Sequence, residues 1–205
     1  NIHFFKVNLF KEGSVNLLIK KIKNKFGYIN GLVNNASFEK KTLQKIVPKI
    51  NFTESLAINL YAPYLLTKRL ENLLILGAKK SKTSSSIVNI SSMYAIVSPD
   101  KKIYKKKQDI NPIQYGANKA GLIQLSKYMA CNLDNNLIRI NSITPGAFPS
   151  STKNLKTNLM LKSKIPLKRF GKPEEVAGPV VFLLSKESSY VHGTNLIVDG
   201  GWTSW

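Results

Sequence analysis

The sequence predicts an α/β fold built on a parallel sheet. Short β-branched apolar runs recur along the chain, each closing on small, polar or turn-forming residues: Gly31-Leu-Val-Asn-Asn-Ala36, Ser86-Ile-Val-Asn-Ile-Ser-Ser92, Arg139-Ile-Asn-Ser-Ile-Thr-Pro-Gly146 and Leu196-Ile-Val-Asp-Gly-Gly201. Longer segments with helical apolar spacing separate them. Strand and helix in alternation give parallel neighbours joined by right-handed crossovers. At 205 residues and 43% hydrophobic, the chain can bury one sizeable core. It has no Gly/Ser/Pro-rich linker and no internal repeat, so one domain over residues 1–205 is expected.

The elements follow in order. A strand is expected at Ile2–Asn8, then a helix near Ser14–Phe26 with Val15, Leu18, Ile19 and Ile22 on one face. A strand Ile29–Asn34 leads into a loop to about Phe52 and a long helix, Glu54–Leu76, that carries Asn59. Strand Ser86–Ser91 precedes an irregular stretch, Met93–Asn111. The helix that opens at Tyr115 runs to about Asp134. Strand Ile138–Ile143, the segment Phe148–Ile165, helix Glu174–Leu184 and strand Asn195–Val198 complete the chain.

Two places carry candidate chemistry. Tyr115 and Lys119 stand four apart at the start of a helix, hence one above the other on one face. A lysine charge beside a phenol favours the phenolate, and a phenol so tuned can give a proton to an alkoxide or take one from an alcohol. Ser92 stands at the carboxyl end of a strand, where open α/β sheets bind ligands, and its hydroxyl can donate to a carbonyl oxygen. Alone, each pattern is also that of an ordinary solvated helix face or a turn.

The formal charge of +20 suggests nucleic acid or an anionic surface. The basic residues are nearly all scattered lysines, with only Arg69, Arg139 and Arg169 able to grip phosphate bidentately, which argues against nucleic acid. No apolar run approaches a membrane span. One cysteine, Cys131, leaves no intrachain disulfide and fits a reducing, cytoplasmic setting. His3 and His192 stand far apart and no Cys/His cluster forms, so no metal site is expected.

Taken in order, these residues resemble the short-chain dehydrogenase/reductase family along essentially the whole chain. Asn34-Asn35-Ala36-Ser37 matches the family's Asn-Asn-Ala-Gly, with Ser in place of Gly. Asn59 in Leu56-Ala-Ile-Asn-Leu60 matches the helix asparagine of the catalytic tetrad, Ser92 the family serine, and Tyr115 with Lys119 the Tyr-x-x-x-Lys pair. Pro145-Gly146, the stretch Pro166–Ala177 and Asp199-Gly200-Gly201 match later signatures. The resemblance implies a Rossmann-like doubly wound parallel sheet and a cofactor, NAD or NADP. It implies that Tyr115 moves the proton, that Lys119 lowers the Tyr115 pKa and holds the nicotinamide ribose, that Ser92 holds the substrate oxygen, and that Asn59 anchors a water leading to Lys119. Asn34, Ala36, Pro145 and Gly146 line the cofactor, and Asn8 stands where an acid normally meets the adenine. A homodimer or homotetramer is implied, paired through the Tyr115 helix and the long helix before it. The apolar stripe Leu122, Leu125, Met129, Leu133 is expected to serve core and interface together.

The family opens on a strand and a Gly-rich turn, Thr-Gly-x-x-x-Gly-x-Gly, that cradles the pyrophosphate. No such motif occurs here. The sheet is therefore expected to lack its first two strands and first helix, leaving one strand edge unpaired. Residues 1–205 by themselves are expected to lack ordinary dinucleotide affinity. The spacing from Ser92 to Tyr115 is longer than in many members, the excess being the lysine-rich stretch Ser98–Asp109, read as a lid or specificity loop with cationic side chains for an anionic substrate, or as a solvated excursion. That insertion, with Ser91-Ser-Met-Tyr94, Pro112-Ile-Gln-Tyr115 and the ending Gly201-Trp-Thr-Ser-Trp205, resembles a subgroup that includes flagellin-modification protein A and sugar-pathway oxidoreductases. Asn-Asn-Ala-Ser keeps a pteridine reductase-like substrate open.

The expected function is hydride transfer between a nicotinamide cofactor and the carbonyl or alcohol of a small molecule, a sugar-derived or polyol compound. Two alternatives stand: a 3-oxoacyl-carrier-protein reductase, whose acidic carrier would suit the basic surface, and a non-catalytic binding or scaffold protein of the same fold.

Overall fold

The computed structural model describes residues 2–42, 46–104, 110–133, 135–148 and 155–205. Residues 43–45 of the first long loop, 105–109 of the lysine-rich insertion, Asp134 at the expected helix end, and 149–154 lie outside the described residues.

The elements in chain order are α1 Glu12–Phe26, β1 Gly31–Asn34, α2 Lys49–Leu56, a π-helical turn Ala57–Tyr61, α3 Ala62–Ser81, β2 Ser85–Ile90, α4 Ile113–Asn132, β3 Ile138–Pro145, α5 Leu155–Lys164, α6 Pro173–Leu184 and β4 Asn195–Val198. Short 3-10 turns sit at Met93–Ala95, Lys186–Ser188 and Trp202–Ser204. Among the described residues the sheet has four strands in the order β1-β2-β3-β4, every neighbouring pair parallel. This is an α/β fold.

Alternation along the strands divides the core into two layers. Ile87 and Ile140 face α3 and α4, where they pack with Leu70, Leu73, Leu74 and Met129. Val88, Ile90 and Ile143 face the other way, onto Leu183 of α6. All six residues of β2 are buried, as a central parallel strand covered on both faces must be.

The expected strand Ile2–Asn8 does not form. A strand needs a ladder partner, and β1 pairs only with β2 among the described residues. The segment is held instead by rings and a turn. His3 and Phe5 lie against Phe26 at centroid distances of 5.5 and 6.4 Å. Asn8 closes an Asx turn, its Oδ1 accepting from Phe10 N at 2.9 Å while its own N–H donates to Ser14 Oγ at 2.9 Å.

β1 opens at Gly31 rather than Ile29. Ile29 N donates to Leu73 O of α3 at 3.2 Å, so the chain there belongs to the helix contact. Gly77 permits the approach: a Cβ on it would stand 2.0 Å from the Ile29 carbonyl oxygen.

The long helix is longer than expected and is not α-helical throughout. It starts at Lys49, ends at Ser81 before a left-handed Lys82 (φ 55°), and swells into the π-helical turn around Asn59. Pro63 gives a reason in the sequence. Proline has no N–H, so the carbonyl of Asn59, four residues back, loses its ordinary partner. At Ala62 the backbone N–H reaches Ala57 O, five residues away. Single π turns of this kind recur at functional sites.

β3 runs on to Pro145, past the expected Ile143, because Thr144 and Pro145 pair with Ile197 and Val198 of β4. Part of the insertion is core rather than solvated excursion: Ile103 is 2% exposed and packs with Met93, Leu161, Ile165 and Trp202. Among the described residues no helix is long and apolar enough to cross a membrane.

Candidate active site

Parallel strands bring their carboxyl ends to one rim. Asn34 pairs with Asn89, Ile90 with Ile143 and Pro145 with Val198, so Asn34, Ser91-Ser92, Pro145-Gly146 and Asp199 follow one another along that rim. Helix α4 enters the rim at Tyr115. Gly116 lets it come close: an added Cβ would meet Tyr94 O at 2.8 Å, so the first turn of α4 lies directly on the turn that follows Ser92.

That approach joins Ser92 to Tyr115. The Ser92 hydroxyl accepts from Tyr94 N at 3.2 Å. Burial pushes the Tyr115 phenol above its ordinary pKa. The Ser92 hydroxyl, close enough to interact with the phenol, pulls it back, and the nearby Glu39 charge pushes it up again. Glu39 is fixed on its other side, its Oε2 accepting from Asn111 Nδ2 at 3.2 Å.

Lys119 is 2% exposed, one helical turn behind Tyr115. Its Nζ stands 5.8 Å from the Tyr115 ring centroid and donates to Ile90 O at 2.7 Å. Its backbone carbonyl accepts from Ser91 Oγ at 2.9 Å, which ties α4 to the end of β2. Burial lowers the Lys119 pKa to about 8. The ammonium is engaged by a carbonyl, and the group that pulls the Tyr115 pKa down is Ser92.

Asn59 is fully buried. Its Nδ2 donates to Phe38 O at 2.6 Å and to Ser55 Oγ at 3.0 Å, and its Oδ1 accepts from Phe38 N at 3.1 Å. Both amide hydrogens are therefore used, and the side chain holds the segment that follows β1. Asn118, next to Lys119, donates to the same Ser55 Oγ at 3.0 Å, so the two helices share one polar knot. The Asn59 backbone carbonyl has no i+4 donor, because residue 63 is proline.

Asn34 is buried at the end of β1. Its Nδ2 donates to Asn89 Oδ1 at 2.7 Å, Asn89 donates to Ser126 Oγ at 2.9 Å, and Ser126 donates to Leu122 O at 2.7 Å. The Oδ1 of Asn34 has no hydrogen-bond partner among the described residues. Ala36 lies exposed just beyond it. At Gly146 a Cβ would stand 2.6 Å from Asp199 Cα, so only glycine lets the chain leave β3 against the turn after β4.

Asn8 is not brought into this cluster. It is exposed and committed to its own turn. That turn lies towards the β1 end of the rim, where Phe10 meets Phe38 edge to face at 5.5 Å.

The residues present fit the nicotinamide-ribose end of a dinucleotide. A buried acceptor without a partner waits at Asn34, a lysine waits at Lys119, and Gly146 leaves the rim bare of side chain. Among the described residues no group of three or more His, Cys, Asp or Glu gathers to hold a metal. Ser55, Ser91, Asn89, Asn118 and Ser126 carry the site's scaffold and escaped the sequence reading. Their one signal was a polar side chain at an otherwise apolar, buried spacing.

The family profile described as enoyl-(acyl carrier protein) reductase matches residues 1–203. The 3-oxoacyl-(acyl-carrier-protein) reductase of Thermotoga maritima is 33% identical over 202 residues, which cover 96% of this chain and 75% of that protein. Glucose 1-dehydrogenase 2 of Bacillus subtilis is 29% identical over 203 residues, 97% of this chain and 73% of that protein. Among solved structures, a short-chain dehydrogenase from Leptospira borgpetersenii with bound NAD+ superposes with a TM-score of 0.84 at 29% identity, covering 97% of this chain and 74% of that one. The chain belongs to the short-chain dehydrogenase/reductase family and is an NAD(P)-dependent oxidoreductase.

Proposed function

We propose that this oxidoreductase acts on the carbonyl or alcohol of a sugar-derived or polyol compound, with Tyr115 as its proton donor and acceptor. The observation that carries the proposal is the close approach of α4 to the Ser92 turn at Gly116, which sets the Tyr115 phenol by the Ser92 hydroxyl at the carboxyl rim of the parallel sheet, with Lys119 buried behind it. When bound, the dinucleotide, NAD or NADP, supplies or accepts the hydride. In the reducing direction Ser92 turns its hydroxyl hydrogen to the substrate oxygen. Tyr115 passes its phenol proton to the alkoxide that forms there.

A raised phenol pKa keeps that proton in place until the alkoxide develops. Lys119, at a pKa of about 8, is charged at neutral pH and leaves Ile90 O for the ribose hydroxyls. The Asn59 carbonyl holds a water on the path from Lys119 to solvent. Asn34, Ala36, Pro145 and Gly146 line the cofactor, and the Asn8 turn lies towards its adenine end. One domain over residues 1–205 holds these groups, in a cytoplasmic protein whose exposed Cys131 stays a thiol.

Resemblance to the Thermotoga reductase and the charge of +20 favour a second reading, an acyl-carrier-protein thioester as substrate. Assays of the full-length protein with both dinucleotides separate the two. Turnover of aldoses or polyols supports the first, and turnover of a 3-oxoacyl thioester without turnover of sugars replaces it with the second.

Self-association belongs to the same proposal. Leu122 and Met129 are core, at 1% and 4% exposed, so they are not free for an interface. A groove of about 420 Å³ lies beside them, lined by Leu56, Leu60, Tyr61, Tyr64, Leu125 and Tyr128. A second copy laid on this face gives the homodimer, and a pair of such dimers the homotetramer.

A further inference from the structure

Two tyrosines to which the sequence assigned no role adjoin the reacting groups, Tyr94 directly and Tyr104 through it. Tyr94 follows Ser92 by two residues, and its backbone is clamped on both sides. Its N–H donates to Ser92 Oγ at 3.2 Å, and its carbonyl lies against Gly116, the residue after Tyr115. Tyr104 comes from the insertion between Ser92 and Tyr115. The two phenols hydrogen-bond to each other. Their ring bodies pack on the cluster of Met93, Ile103, Leu161, Ile165 and Trp202, which holds both in place.

Hydrogen counting gives this pair a ligand. Two phenols carry two O–H hydrogens, and the bond between them uses one. The other has no protein acceptor among the described residues. Burial pushes both phenols above their ordinary pKa, so both keep their hydrogens at neutral pH. Tyr94 also lies within electrostatic reach of the Tyr115 phenol.

We infer that the Tyr94–Tyr104 pair determines specificity, its spare O–H donating to a second oxygen of the substrate next to the carbonyl held by Ser92 and Tyr115. The inference rests on the oxidoreductase reading above and narrows its substrate to carbonyl compounds with a neighbouring hydroxyl. It also gives the insertion a role: Ile103 anchors it in the core, and Tyr104 returns to the site.

The test compares 1-hydroxy-2-butanone with 2-butanone, which differ only in the neighbouring hydroxyl, using the full-length protein with NADH and NADPH. In the double variant Tyr94→Phe/Tyr104→Phe, the ratio of kcat/KM for the hydroxyketone to that for the ketone should fall about tenfold, as one lost hydrogen bond predicts. Tyr94→Phe and Tyr104→Phe each keep one phenol O–H and should fall less than the double variant. A ratio within twofold of wild type in all three variants overturns the inference and leaves the pair as a staple for the insertion.

Binding of butane-1,2-diol, followed by ligand-observed NMR, separates this inference from the reading beneath it. Loss of diol binding in the double variant, in a protein that reduces neither ketone, keeps the pair and removes the oxidoreductase role. Wild-type protein that binds no diol and does not prefer the hydroxyketone overturns the pair, whatever Tyr115 does.

Discussion

The Lys119 ammonium donates to the Ile90 carbonyl at 2.7 Å, across from the phenol it was expected to tune. A buried lysine with a carbonyl and no carboxylate stays charged at a cost to the fold, which is why its pKa falls to about 8. The unfolded chain then binds the proton more tightly than the folded one. Stability from this group must therefore rise with pH between about 8 and the unfolded value of 10.5. Tyr115 opposes the trend only near and above the ordinary tyrosine pKa, because its raised value favours the fold while it stays neutral. Urea denaturation at pH 7.5, 8.5 and 9.5 checks this. Wild type minus Lys119→Met should gain stability over that range, and a flat or falling difference would remove the burial cost from the account.

Gly116 is predicted to matter for chemistry although it bears no side chain. A methyl there stands 2.8 Å from Tyr94 O and must push the first turn of α4 off the Ser92 turn. Gly116→Ala should lower kcat by about 10²-fold, the scale of a displaced acid–base group. Its far-ultraviolet circular dichroism should match wild type. Unchanged kcat would mean that the contact does not set the Ser92–Tyr115 geometry.

Arg139 is buried at the other end of β3, and its guanidinium satisfies a ring of oxygens. It donates to Ser84 Oγ at 2.9 Å, to Val191 O and Leu183 O at 3.1 Å, and to Ser185 O at 3.0 Å. Leu183 and Ser185 stand at the carboxyl end of α6, where a cation is favoured. The three carbonyls also accept from Ser86, Ser188 and Asn141, so Arg139→Met thins the ring rather than emptying it. It should cost about 2 kcal/mol in chemical denaturation, with Arg139→Lys recovering part. Loss below about 0.5 kcal/mol would show that the remaining donors satisfy the ring without the guanidinium.

The groove between α2–α3 and α4 makes assembly sensitive to one charge. Tyr128 is 63% exposed on its edge. Tyr128→Glu should turn a dimer or tetramer of the full-length protein into a monomer by light scattering at micromolar concentration. A wild-type protein that is already monomeric there would rule out the interface.

Much of this was legible in the sequence for a physical reason. β2 and β3 are buried parallel strands and β4 is the half-exposed edge strand beside them, and all three carry β-branched apolar residues closed by polar or turn residues, so their positions can be read within two residues. Ser92, Tyr115 and Lys119 could be singled out because a tyrosine and a lysine four apart on a helix, and a serine at a strand's carboxyl end, are visible spacings, and the fold brings the three together. Ile2–Asn8 was not legible, because its apolar pattern describes a strand only when a neighbour supplies the ladder. Asn59 was found but its backbone was not, although Pro63 carried the signal for the π-helical turn. The Lys119–Ile90 bond and the Tyr94–Tyr104 pair depend on close approaches at Gly116 and Ile103 that no local spacing encodes.

The central claim is that Tyr115 moves the proton. The most direct measurement is kcat of Tyr115→Phe in the full-length protein, with dinucleotide affinity measured alongside by calorimetric titration. The account predicts a fall of about 10²–10⁴-fold in kcat with cofactor affinity kept within a few fold. A variant that retains more than half of the wild-type kcat would contradict it.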